Sequence, residues 1–164
     1  QFTVAFKHPD AVAALLSGGA GITAHYTSPP FHQRERKDPS VRTIMTTNDV
    51  MGGATTFAMM VATEKFQKEN PIAVASVTKA LAEAQASIAN DKRAAAAIML
   101  ESLGRGWELD EVVAVLNDPD IAFTLTPQNV KAYADFMADV ASIKNRPASW
   151  KDVFFEHVHG LPGS

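Results

Sequence analysis

Hydrophobic periodicity changes partway along this chain, and the change limits its folds more than any other feature. From Phe2 to Ala62 short β-type runs alternate with short helical ones, whereas beyond Asn70 apolar residues recur every three or four positions over long alanine-rich stretches. Phe2-Thr3-Val4-Ala5-Phe6 is β-branched and aromatic, and Pro9 and Asp10 close it, so it reads as a strand. Asp10 to Ser17 places Val12, Ala13, Leu15 and Leu16 at helical spacing and stops at Gly18-Gly19. Ile22 to Thr27 reads as a second strand, which completes the minimum βαβ crossover, expected to be right-handed. Ser28 is placed to N-cap a polar surface helix from Phe31 to Lys37, with Pro29 or Pro30 in its first turn. Val41 to Thr46 makes a third strand. After a loop from Asn48 to Ala54, Thr55 to Ala62 is a fourth, apolar on both faces as a strand covered by helices should be.

The second regime carries clear helix starts. Asn70 before Pro71 opens one helix, along which Val74, Val77, Leu81, Ala84 and Ile88 form a continuous stripe. Further helices are expected at Asp91 to Leu103, Leu109 to Leu116, and from Thr126-Pro127 through Val130, Tyr133, Met137 and Val140. The expected fold class is therefore α/β with a parallel sheet. Three or four strands are too few to cover so many helices, so further sheet is expected upstream.

Composition narrows the function. A chain of 164 residues with 46% hydrophobic content is long enough for one ordinary core, and its net charge of −3 offers no surface for phosphate backbones, so no nucleic-acid partner is expected. The single dense cationic run is Arg34 to Lys37, interrupted by Glu35. No apolar run approaches the ~20 residues of a membrane span. The absence of cysteine removes thiolate metal sites and thiol nucleophiles. There is no G-x-S-x-G elbow and no H-E-x-x-H pair, so no enzyme, catalytic residue, cofactor or metal site is expected.

Ligands of open parallel sheets lie beyond the carboxyl ends of strands, which directs attention to Lys7–Pro9, Thr27–Phe31 and Thr46–Gly53. Ser28-Pro29-Pro30-Phe31 is the first candidate, because a helix starting there aims free N–H groups at an anion; the same turn also reads as a plain N-cap. Asn48 with Asp49, Gly52 and Gly53 fits either a close backbone approach to ligand or a simple turn. His25 and Tyr26 alternate across a strand, so either is a ligand contact or a hydrogen-bonded core group. Gly18-Gly19-Ala20-Gly21 follows a helix and has no Walker lysine, so it reads as a turn. His157 and His159 lack a third ligand at metal spacing.

His8-Pro9-Asp10-Ala11, Ile22-Thr23-Ala24-His25, Ser28-Pro29-Pro30-Phe31, Asn70-Pro71 and Pro147 to Asp152 together resemble substrate-binding proteins of nitrate, sulfonate and taurine type ABC importers, in their carboxyl-terminal half. The resemblance covers essentially the whole chain. It implies a type II periplasmic-binding-protein-like fold in which residues 1–50 finish lobe two and residues 51–164 form the return crossing and helices packed on lobe one. It further implies capture of a small anion such as a sulfonate, nitrate or carboxylate, a permease and an ATPase as partners, a periplasmic location with the export signal outside this chain, and ligand contacts at Ser28, Pro29 and Phe31, with His25, Thr46 and Asn48 behind them. Many relatives carry an acidic residue where Thr23-Ala24 follows Ile22, which leaves the ligand open among these classes. A ligand-sensing regulatory domain and a pyrimidine-precursor synthase are the alternative readings. Pairing of two copies into a homodimer is expected to cover the exposed lobe faces.

Overall fold

The computed structural model describes residues 3–19 and 21–164; Phe2, at the start of the first expected strand, and Ala20, in the glycine-rich turn, lie outside the described residues. Helices form where local signals are dense. α1 (His8–Ser17) carries Pro9 in its first turn and ends at Gly18. α2 (Phe31–Glu35) and α3 (Thr47–Met51) are single turns, and α4 (Glu64–Glu69) starts at Thr63, whose hydroxyl accepts from the Phe66 N–H at 3.1 Å. α5 (Pro71–Asn90), α6 (Lys92–Leu103), α7 (Leu109–Leu116) and α8 (Val130–Asp139) follow the 3.6-residue pattern. Two short 3₁₀ turns, Trp150–Val153 and Glu156–Val158, finish the chain.

The α/β expectation is overturned: among the described residues the protein is helical and contains no β-strand, so there is no parallel sheet, no βαβ unit and no binding-protein lobe built on one. The segments expected as strands are non-helical, but none pairs with another. Their side chains show why the pattern misled. Phe57 and Val61 are 81% and 85% exposed, although both were expected beneath helices, and Val4, Phe6, Ile44 and Met45 are exposed as well. β-propensity reports a side chain that suits a half-buried pleat, whereas a strand exists only when a neighbour takes its backbone N–H and C=O groups. The neighbour is not supplied by the described residues.

The chain divides into two compact units, Gln1–Ile44 with Ala96–Asp118, and Met45–Ala95 with Pro119–Ser164. The expected boundary near residue 50 differs from this division chiefly because Ala96–Asp118 joins the first unit. In that unit Ala11 and Val12 of α1, Ala96 of α6, and Val112, Val115 and Leu116 of α7 are buried, the last three at the i, i+3, i+4 spacing of one helix face.

In the second unit the buried residues include Val130, Ala134 and Trp150. Ser164 closes the unit on the start of α8: its carbonyl accepts from the Val130 N–H at 2.8 Å and its hydroxyl from the Asn129 N–H at 3.0 Å. Thr56 ties in the segment after α3 by donating its N–H to the Gln128 carbonyl at 2.9 Å, while its hydroxyl accepts from the Gln128 N–H at 2.8 Å.

Candidate anion-binding site

α6 stops at Leu103, and Gly104-Arg105-Gly106-Trp107 turns the chain into α7. Gly104 and Gly106 have φ of 78° and 90°, a region that side-chain-bearing residues rarely adopt. The turn they permit carries Arg105 and Trp107 to α2. There the Arg34 guanidinium lies 3.5 Å from the centre of the Trp107 ring, and Phe31 meets the same indole edge-on at 5.7 Å. A cavity of about 190 Å³ is bounded by Pro9, Val12, Phe31, Arg34, Arg105 and Trp107, together with Leu103. At ~30 Å³ per water in the liquid, that is room for about six waters, which suits a small ion rather than a drug-sized ligand.

Charge around this cavity is organised by Glu111. Its carboxylate accepts from Lys37 Nζ at 2.7 Å, from Arg34 Nη2 at 2.9 Å and from the Glu108 N–H at 3.1 Å. The Lys37 ammonium, and then the Glu108 N–H and the Arg34 guanidinium, hold the Glu111 carboxyl down at about 2 against the opposing effect of burial. Arg34 also donates to the Gly106 carbonyl at 2.6 Å, so its guanidinium is fixed over the indole. Arg105 is a lining residue of the cavity, and its guanidinium has no hydrogen-bond or ion-pair partner among the described residues.

Beside Phe31 lies a chain of three titratable groups. Glu35, 4% exposed, accepts from His25 Nδ1 at 2.6 Å, and His25 Nε2 faces His8 Nδ1 at 3.2 Å. The His8 ring stacks on Phe31, with centroids 5.3 Å apart and planes at 21°.

Of the residues expected at the site, Phe31 lines the cavity, and His25 stands one ring behind it through His8. Ser28 does not cap α2 with its hydroxyl; its main-chain carbonyl accepts from the Phe31 and His32 N–H groups, and Pro30 occupies the N-cap. Pro29 precedes that cap. The helix expected to be a polar surface element buries Glu35. Thr46 and Asn48 belong to the other unit, where Thr46 forms a capping box with Asp49 and the Asn48 carbonyl accepts from the Gly53 N–H at 2.9 Å. His25 and Tyr26 differ in exposure although the strand expected to alternate them is absent: the His25 side chain is 10% exposed and Tyr26 is 88% exposed. His157 bonds the Thr78 hydroxyl and His159 the Lys151 and Phe154 carbonyls, and no group of three or more potential metal-binding residues occurs among those described.

Sequence reasoning did not identify Arg34, Arg105, Trp107 and Glu111. Arg34 stands in the noted cationic run, and Trp107, one of two tryptophans, directly follows the closely spaced Gly104 and Gly106, a signal in its own right. Comparison with protein-family models finds no match, and neither curated proteins nor solved structures show significant likeness to the chain.

Proposed function

We propose that the protein is a solute-binding component that captures a small anion, of the sulfonate, nitrate or carboxylate class, and does no chemistry on it. The observation that carries this reading is the cavity beside α2, where the unengaged Arg105 guanidinium and the anchored Arg34 guanidinium meet an aromatic wall of Phe31 and Trp107. A fixed guanidinium recognises planar or tetrahedral oxyanions through paired N–H groups, and the aromatic wall excludes water from the contact. The importer setting, with a permease, an ATPase and a periplasmic location, rests on the sequence resemblance. The cavity supports anion capture alone, and the parallel sheet that the same resemblance implies is absent among the described residues.

The test is thermal unfolding with methanesulfonate, nitrate and acetate against chloride at matched ionic strength. At a hundred times Kd a ligand adds about 2.7 kcal/mol, or roughly 5–10 °C in Tm for a chain this long. Arg105→Gln should remove the response. A response undiminished in Arg105→Gln, or none to any of the three anions, would overturn the proposal.

A further inference from the structure

We infer that capture of an anion at this cavity takes up one proton, which enters at His8 Nε2 and is held by the chain His8–His25–Glu35. The inference rests on the anion-binding reading above and adds a linked proton to it.

Donor and acceptor capacity fixes the arrangement. The Glu35 carboxylate accepts from His25, so Nδ1 of His25 carries hydrogen. In the neutral ring Nε2 of His25 is then an acceptor, and the 3.2 Å contact requires His8 Nδ1 to donate. Thr27 Oγ1 lies 3.5 Å from that same Nδ1, on the margin of a second contact. His8 Nε2 is left with a lone pair and no protein partner among the described residues. Without an added proton the three groups carry one negative charge.

One proton from solvent can bind His8 Nε2 without breaking any of these hydrogen bonds. The shared hydrogen between the rings can then sit on either nitrogen, so the positive charge is carried by His8 or, as an ion pair with Glu35, by His25. In both forms His8 Nε2–H is a new donor and the chain becomes neutral. A second proton would set two N–H groups against each other across 3.2 Å, so the device holds one. His8 is stacked on Phe31 and precedes Pro9, and both of those residues line the cavity, so the change falls at its edge. The charged groups around His8 are His25 and Glu35, Arg34 and Arg105 of the cavity, Glu111 with Lys37 behind Arg34, and Lys7 and Asp10 beside it in sequence. Removing one negative charge there favours an incoming anion, and by linkage the anion favours the proton.

The experiment is calorimetric titration of the full chain with methanesulfonate, whose own charge does not change across the range, between about pH 5 and 8 where histidine changes charge. Running each pH in buffers of different ionisation enthalpy reads protons taken up. The expected result is uptake near zero at the lower end, where the chain already holds its proton, rising through a maximum at higher pH, with affinity weakening over the same interval. His8→Asn should abolish uptake and flatten the profile, and Glu35→Gln, which keeps an acceptor for His25 but removes the charge, should reduce uptake. Imidazole nitrogen NMR of the unliganded protein at the upper end supplies a readout independent of ligand: both His8 and His25 should be Nδ1–H tautomers. Methanesulfonate binding with no proton uptake overturns the inference and leaves anion capture standing. An Nε2–H tautomer at His8 overturns it whether or not any anion binds, and absence of any heat with methanesulfonate overturns both readings.

Discussion

Replacing Glu111 with Gln should lower stability while strengthening anion binding, two effects of opposite sign from one charge. The folded carboxyl stands at about 2 against an ordinary 4.5, and at about 1.4 kcal/mol per pH unit the full difference is about 3 kcal/mol. That is an upper bound. The Glu111 side chain is 22% exposed and its Lys37 partner 57%, and exposed ion pairs return about 0.2–1 kcal/mol each. Two such pairs and a charge-assisted N–H bond give about 1–2 kcal/mol, or roughly 2–8 °C in Tm. Because the folded carboxyl is depressed, its contribution is fully present above about pH 4.5 and is lost as pH falls toward about 2; at pH 2.5 about a quarter remains. Urea unfolding of wild type and Glu111→Gln at pH 7 and pH 2.5 measures this directly, and the gap should narrow accordingly. Methanesulfonate affinity should rise in the variant, since Arg34 and Lys37 lose a competing anion. A gap of equal size at both pH values, or no gap at pH 7, would refute the electrostatic account.

Three further substitutions test the packing. Gly163→Ala places a Cβ within 2.7 Å of the buried Trp150 ring, an overpacking expected to cost about 1–3 kcal/mol in thermal or urea unfolding. Val112→Ala removes two methyl groups from a fully buried position on α7 and should cost about 2–3 kcal/mol, read the same way. Phe57→Asp should change stability by less than about 0.5 kcal/mol, because the ring is 81% exposed; a loss of several kcal/mol would show that the segment is covered and restore the case for a buried strand there.

Signals that act within a few residues of sequence were legible. Pro71 at a helix start and the bounds of α7 follow from contacts between neighbours in sequence, whereas the expected stripe on α5 holds only in part: Val74, Leu81 and Ile88 are half-buried, and Val77 and Ala84 are exposed. The strands were not legible, because Thr55 to Ala62 meets every local requirement of a strand while the pairing that makes one depends on a distant backbone. α3 occupies part of the segment expected as a strand end and loop, for a related reason: Asp49, three residues after Thr46, closes a capping box that the strand reading of Thr46 does not use. At the site, Phe31 was found from a turn motif, but Arg34 becomes a binding residue only through Gly106 and Glu111, more than seventy positions away.

That long-range arrangement also explains how a chain of net charge −3 can present a cationic cavity. Arg34 and Lys37 share one carboxylate, Glu111, and Arg105 lines the cavity, so these four side chains carry two positive charges in excess, offset in part by the negative charge of the His8–His25–Glu35 chain at the edge. The three cations are not equivalent. Arg34 and Lys37 are held by Glu111, and Arg34 also by the Gly106 carbonyl, so they set the shape and background field of the pocket. Arg105, without a protein partner among the described residues, retains its full hydrogen-bonding capacity for a ligand. Truncating Arg105 should therefore weaken anion binding with little effect on Tm. Truncating Arg34 should lower both, because it strips the Trp107 face and leaves Glu111 short of a partner.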